Sequence, residues 1–127
     1  MRVTIEKVIH ENTNILVSFT SSYGRAQAYW HGKKPIADSD YDVEVNIKDT
    51  LEWGKDVLVD KNCAPSIQQE SDLVFISGCI EYVDEDGYAV IRLDDSIIAF
   101  MTRGEHYQVG TCVTLTITLI TLYPVFY

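Results

Sequence analysis

Apolar and polar side chains alternate at period two through most of this chain, the spacing that sends successive side chains to opposite faces of a sheet. Val43, Val45 and Ile47 are interleaved with Asp42, Glu44, Asn46 and Lys48, and Val113, Leu115, Ile117 and Leu119 with Thr114, Thr116 and Thr118. Further strands are predicted at Val3 to His10, Ile15 to Ser21, Arg25 to His31, Leu73 to Val83, Tyr88 to Leu93 and Ile97 to Thr102, eight in all. After Leu119, Ile120 and Leu122 place apolar groups on what had been the threonine face, a change expected of a bulge or of burial on both sides.

The turns between these strands have physical causes. Asp84-Glu85-Asp86-Gly87 puts glycine where a hairpin loop needs a positive φ, and Ile80 to Val83 and Tyr88 to Ile91 flank it as paired strands. Asp94-Asp95-Ser96, Glu11-Asn12-Thr13-Asn14 and Ser21-Ser22-Tyr23-Gly24 make comparable connections, so an antiparallel meander is expected. Between Gly54 and Asp72 the alternation fades, and Pro65 cannot donate to a ladder; Ser66 and Gln69 suit at most one capped helical turn. An offset of about 71 residues superposes Val3, Ile5 and Ile9 on Val74, Ile76 and Ile80, and Ala28-Tyr29 on Ala99-Phe100. The expected architecture is one all-β domain over residues 1–127, an antiparallel sandwich or partly closed barrel of about eight strands. Its two β-halves, 1–54 and 72–127, joined by a linker over 55–71, are either a pseudo-repeat or two stretches of the same binary pattern.

Charge narrows the function. Nineteen Asp and Glu against ten Lys and Arg leave a net of -9, which repels polyanions and draws in cationic partners. The start of the chain has no uninterrupted apolar stretch of signal-peptide length, and Val113 to Phe126 falls short of the roughly 18 apolar residues that span a membrane. Three cysteines, Cys63, Cys79 and Cys112, lack the close spacing of a zinc or redox pair, so a reduced, cytoplasmic setting is expected. Cys79 and Cys112 read as small hydrophobes inside strands, and Cys63 as a linker thiol open to reaction.

No catalytic motif emerges. His10, His31 and His106 lie on different elements without a nucleophile signature or zinc spacing, and the seven glycines are too dispersed for a phosphate loop. Asp84 to Gly87 supplies only a fragment of a calcium loop. No enzyme activity, cofactor or metal is expected. Tyr29, Trp30, Tyr82, Tyr88 and Tyr107 are of the type that stacks on single-stranded nucleic acid, but the sparse basic residues argue against a polyanionic ligand.

The acidic residues are concentrated. Asp38, Asp40, Asp42 and Glu44 recur at every second position, a row in which each like-charged pair repels by about 1 kcal/mol even in water. Such a row suits a docking surface for a basic protein, with Tyr41 and Trp53 as aromatic anchors and Asp84, Glu85 and Asp86 as a second acidic cluster. On this reading the carboxylates replace phosphates at a nuclease and association is fast and salt-dependent. The alternative is an oligonucleotide-fold-like barrel that holds a ligand through aromatics as a binding or accessory module. An exposed edge strand also offers a route to a homodimer.

The segments Tyr41-Asp42-Val43-Glu44-Val45-Asn46-Ile47, Leu51-Glu52-Trp53-Gly54-Lys55-Asp56 and Ile80 to Leu93 resemble those of small acidic bacterial β-proteins. Some of that group resemble immunity proteins of polymorphic toxin systems, including the contact-dependent growth-inhibition type. The resemblance implies a cytoplasmic, non-catalytic antidote that binds a cognate toxin, often a nuclease, at or near its active site.

Overall fold

The computed structural model describes residues 1–11 and 13–126, leaving the side chains of His10 and Glu11 undescribed, so the expected loop at Glu11 to Asn14 and the His10 ring lie partly outside it. The fold is all-β, with no helix among the described residues. The first strands are β1 (Arg2–Glu11), β2 (Asn14–Ser21), β3 (Gly24–Trp30), β4 (Asp40–Ile47), β5 (Thr50–Glu52) and β6 (Val57–Val59). They are followed by β7 (Ser66–Glu70), β8 (Leu73–Val83), β9 (Tyr88–Leu93), β10 (Ser96–Arg103), β11 (Cys112–Ile117) and β12 (Ile120–Pro124).

Pairing closes these strands into two rings. In the first, β1 pairs antiparallel with β2 and β2 with β3; β3 runs parallel to β12 with Tyr29 opposite Thr121. Antiparallel β12–β4 and β4–β1 ladders complete it. The second ring repeats the order: β8, β9 and β10 are antiparallel, β10 is parallel to β5 with Met101 opposite Thr50, and a Trp53–Val57 bridge carries the edge on to β6. β6 then pairs with β11, and β11 with β8. The first ring thus takes its fifth strand, β12, from the second half of the chain, and the second ring closes through β5 and β6, which precede its other strands. The crossing segments touch, Thr118 Oγ1 donating to Asp49 Oδ2 at 2.8 Å. β7 bridges the rings, antiparallel to β8 and reaching β3 where Gly24 faces Ile67.

Alternation explains the interior. Val3, Ile5, Val17, Phe19, Val43, Ile47, Ile120 and Leu122 point into the first ring, where Ala26 and Ala28 leave room for the Phe19 ring. Val74, Ile76, Ile80, Ile91, Leu93, Ile98, Phe100, Val113 and Leu115 fill the second, and all belong to one buried cluster. The β2–β3 and β9–β10 turns meet, Tyr23 Oη donating to Asp95 Oδ1 at 2.7 Å. Partial burial pushes the Tyr23 phenol up, and the bond from Tyr23 holds the Asp95 carboxyl below its usual range.

Several sequence expectations are corrected. The described residues form twelve strands, the four unexpected ones being β5, β6 and β7 between Thr50 and Glu70, the last two within the segment 55–71, and β12 after β11: short runs without full alternation become strands when a neighbouring ladder offers partners. Ser66 to Gln69 is extended within β7 and forms no helical turn. The change at Ile120 marks the end of β11 and the start of β12, where Ile120, Thr121 and Leu122 are all largely buried. Cys63 and Cys112 are not free thiols but partners in a disulfide. The Asp84–Gly87 hairpin forms as expected, with Gly87 at φ 92°.

Candidate functional site

The acidic and aromatic residues singled out in the sequence fall into two groups on different rings. Asp40, Asp42 and Glu44 lie on β4, whereas Asp38 sits in the preceding turn at φ 64° and does not extend their row. Arg2, on the adjacent β1, lies 3.9 Å from Asp40 and 3.3 Å from Asp42, and Thr4 Oγ1 donates to Asp40 Oδ1 at 2.6 Å. The row is therefore partly neutralised by its own neighbour. All four arginines are committed in this way, Arg25 to Glu6, Arg92 to Glu81 and Arg103 to Glu52, at exposed sites where such pairs add little stability.

The two aromatic anchors are structural elements of the barrels. Tyr41 packs edge-on against Trp30 with centroids 5.0 Å apart, and its Oη accepts the Ile36 N–H at 2.8 Å. Trp53 is buried and meets Tyr107 edge-on at 5.4 Å. Asp84 is used by its own turn, Oδ1 accepting the N–H groups of Asp86 and Tyr88 at 2.9 and 3.0 Å, while Glu85 and Asp86 are exposed. Trp53, Asp84, Glu85 and His106 do converge, lining a cleft of about 310 Å³ on the second ring.

A larger cleft, about 410 Å³, occupies the matching place on the first ring, where the start of β2, the end of β3, the β4 exit and β12 converge. Its wall is built by the parallel β3–β12 pair. The His31 N–H donates to Leu122 O at 2.9 Å, which brings the His31 ring over Tyr123, stacked with centroids 4.4 Å apart and an interplanar angle of 25°. Tyr29 stands beside them, and Trp30 Nε1 donates to Lys33 O at 2.9 Å, pinning the turn that carries His31. Thr13, Asn14, Lys48 and Thr121 add polar groups around the rings. The two clefts differ in charge, Lys48 lining the first and Asp84 and Glu85 the second.

Tyr29 and Trp30 were legible as candidate stacking residues, but Tyr123 was not, since it reaches His31 only through a ladder between residues about ninety positions apart in sequence. No group of three or more His, Cys, Asp or Glu among the described residues is arranged to hold a metal ion. No described helix is long and apolar enough to cross a membrane. No family model matches the chain, and neither the curated proteins nor the solved structures contain a match to it.

Proposed function

We propose that this protein is a non-catalytic binding module whose first-ring cleft holds a neutral, ring-bearing polar ligand of the saccharide class. The observation that carries this reading is the His31–Tyr123 stack with Tyr29 at the mouth of a cleft bordered by polar groups. Flat aromatic faces suit the apolar face of a sugar ring, while Thr13, Asn14, Thr121 and Lys48 are of the kind that bind hydroxyls. The first ring, β1–β2–β3–β12–β4, runs in the strand order of small five-stranded barrels, which bind oligonucleotides or oligosaccharides near the connection between their first two strands and that between their last two. The net charge of -9 disfavours the polyanionic member of that pair. The competing reading, an acidic antidote to a basic toxin, draws on the same surplus charge, but Arg2 offsets the centre of its proposed docking row.

A titration with a panel of neutral oligosaccharides, followed by tyrosine ring resonances, separates the two. Shifts at Tyr29 and Tyr123, with an affinity nearly independent of salt and weakened about tenfold or more by Tyr123→Ala, are expected. No shift with any glycan, together with salt-steep binding of a basic protein that is lost when Asp38, Asp40, Asp42 and Glu44 are neutralised, would favour the antidote.

A further inference from the structure

The three cysteines converge on one edge of the second ring. Cys63 and Cys112 form a disulfide, and the remaining thiol, Cys79, has its Sγ 3.1 Å from Cys112 Sγ. Three elements bring this about. Cys79 and Cys112 are direct partners in the β8–β11 ladder, and the chain between β6 and β7 turns back over them, the Asp60 N–H donating to Cys112 O at 2.8 Å. Cys63 sits in that turn at φ 53°. Cys112 is thus the central sulfur, bonded on one side and faced by a thiol on the other.

A thiol held against a disulfide sulfur is the arrangement from which exchange proceeds. We propose that the cluster is a thiol–disulfide exchange site that moves the one free thiol between Cys79 and Cys63. Cys79 loses its proton and its thiolate attacks Cys112 Sγ; the Cys79–Cys112 bond forms as the Cys63–Cys112 bond breaks, and the departing Cys63 thiolate takes up a proton. One disulfide and one thiol stand on each side, so neither oxidant nor reductant is consumed. The product pairing is sterically accessible. The Ile80 N–H donates to Thr111 O, which makes Cys79–Cys112 a non-hydrogen-bonded cross-strand pair, the type whose Cα atoms lie about 4.5 Å apart, within disulfide range.

The exchange changes what the surface presents. Before it, the free thiol is on half-buried Cys79; after it, on exposed Cys63, in a turn that keeps its Asp60 backbone bond to Cys112 but has lost its covalent tie to β11. Asp60, Asn62 and Ala64 of that turn form one side of a groove also lined by Phe75, Ser77 and Thr114. Exchange therefore creates a thiol open to modification and removes the covalent tie from one wall of this groove.

Labelling tests this directly. Oxidised wild-type protein is held at pH 8 without reductant, alkylated with iodoacetamide for increasing times, quenched in acid and digested with pepsin without reduction for mass spectrometry. Two species are expected, Cys79 alkylated with Cys63 linked to Cys112, and Cys63 alkylated with Cys79 linked to Cys112, the second accumulating as Cys63 is trapped. Refolded in a glutathione redox buffer, Cys63→Ser should form the Cys79–Cys112 link, and Cys79→Ser should hold the Cys63–Cys112 link and take no label. Alkylation confined to Cys79 at every time, or the absence of any disulfide in the oxidised wild type, overturns the proposal whether or not the variants fold.

Discussion

Gly87 closes the β8–β9 hairpin at φ 92°, and its carbonyl accepts both the N–H and the Oγ1 of Thr102, at 2.8 and 2.7 Å. A Cβ at this position would collide with the Thr102 carbonyl. Gly87→Val combines a β-branched residue at positive φ with that overlap, and is expected to cost about 3–5 kcal/mol, read as a lowered urea midpoint. An unchanged midpoint would mean that the turn tolerates a side chain after all. This turn was legible because its cause is local: an acidic cap, a glycine and two alternating flanks within a short stretch. Tyr41 and Trp53 were open to a different reading, as exposed anchors. An aromatic beside charges in sequence carries no record of which face of its strand turns inward, and both are packed against other rings.

At the level of elements, the exchange of β5 and β12 decides the architecture. Leu51 on β5 and Leu122 on β12 are both buried, and each fills the ring built mainly by the other half of the chain. Leu51→Ala and Leu122→Ala should each cost about 2–5 kcal/mol, as large-to-small changes in closed cores do. Amide exchange should place the damage across the molecule from the mutated half: faster exchange in β10 for Leu51→Ala and in β3 for Leu122→Ala. Loosening confined to β1–β4 by Leu51→Ala would contradict the reciprocal pairing. The longer strands could be read from alternation alone. β6 and β7 could not, because three apolar residues in Val57–Val59 and a mixed run in Ser66–Glu70 become strands only when β11 and β8 supply hydrogen-bonding partners.

Taken as a whole, neither half closes its own ring. Fragments 1–60 and 66–127, expressed separately, should each lack cooperative unfolding and bind a hydrophobic dye, and mixing them should restore the β-sheet circular dichroism and a single transition. A fragment that folds alone would show that its own fifth strand can turn back into its own ring. The alternating pattern already determined the all-β class, the inward residues of the long strands and the Asp84–Gly87 turn, because period two and a glycine at positive φ act within a few residues. The parallel β3–β12 and β10–β5 pairs, the His31–Tyr123 stack, the Arg2 contacts and the meeting of three cysteines were decided only by the tertiary structure. Each joins residues dozens of positions apart, and which strand closes a ring depends on the competing ladders available to it, information that no local window of side chains contains.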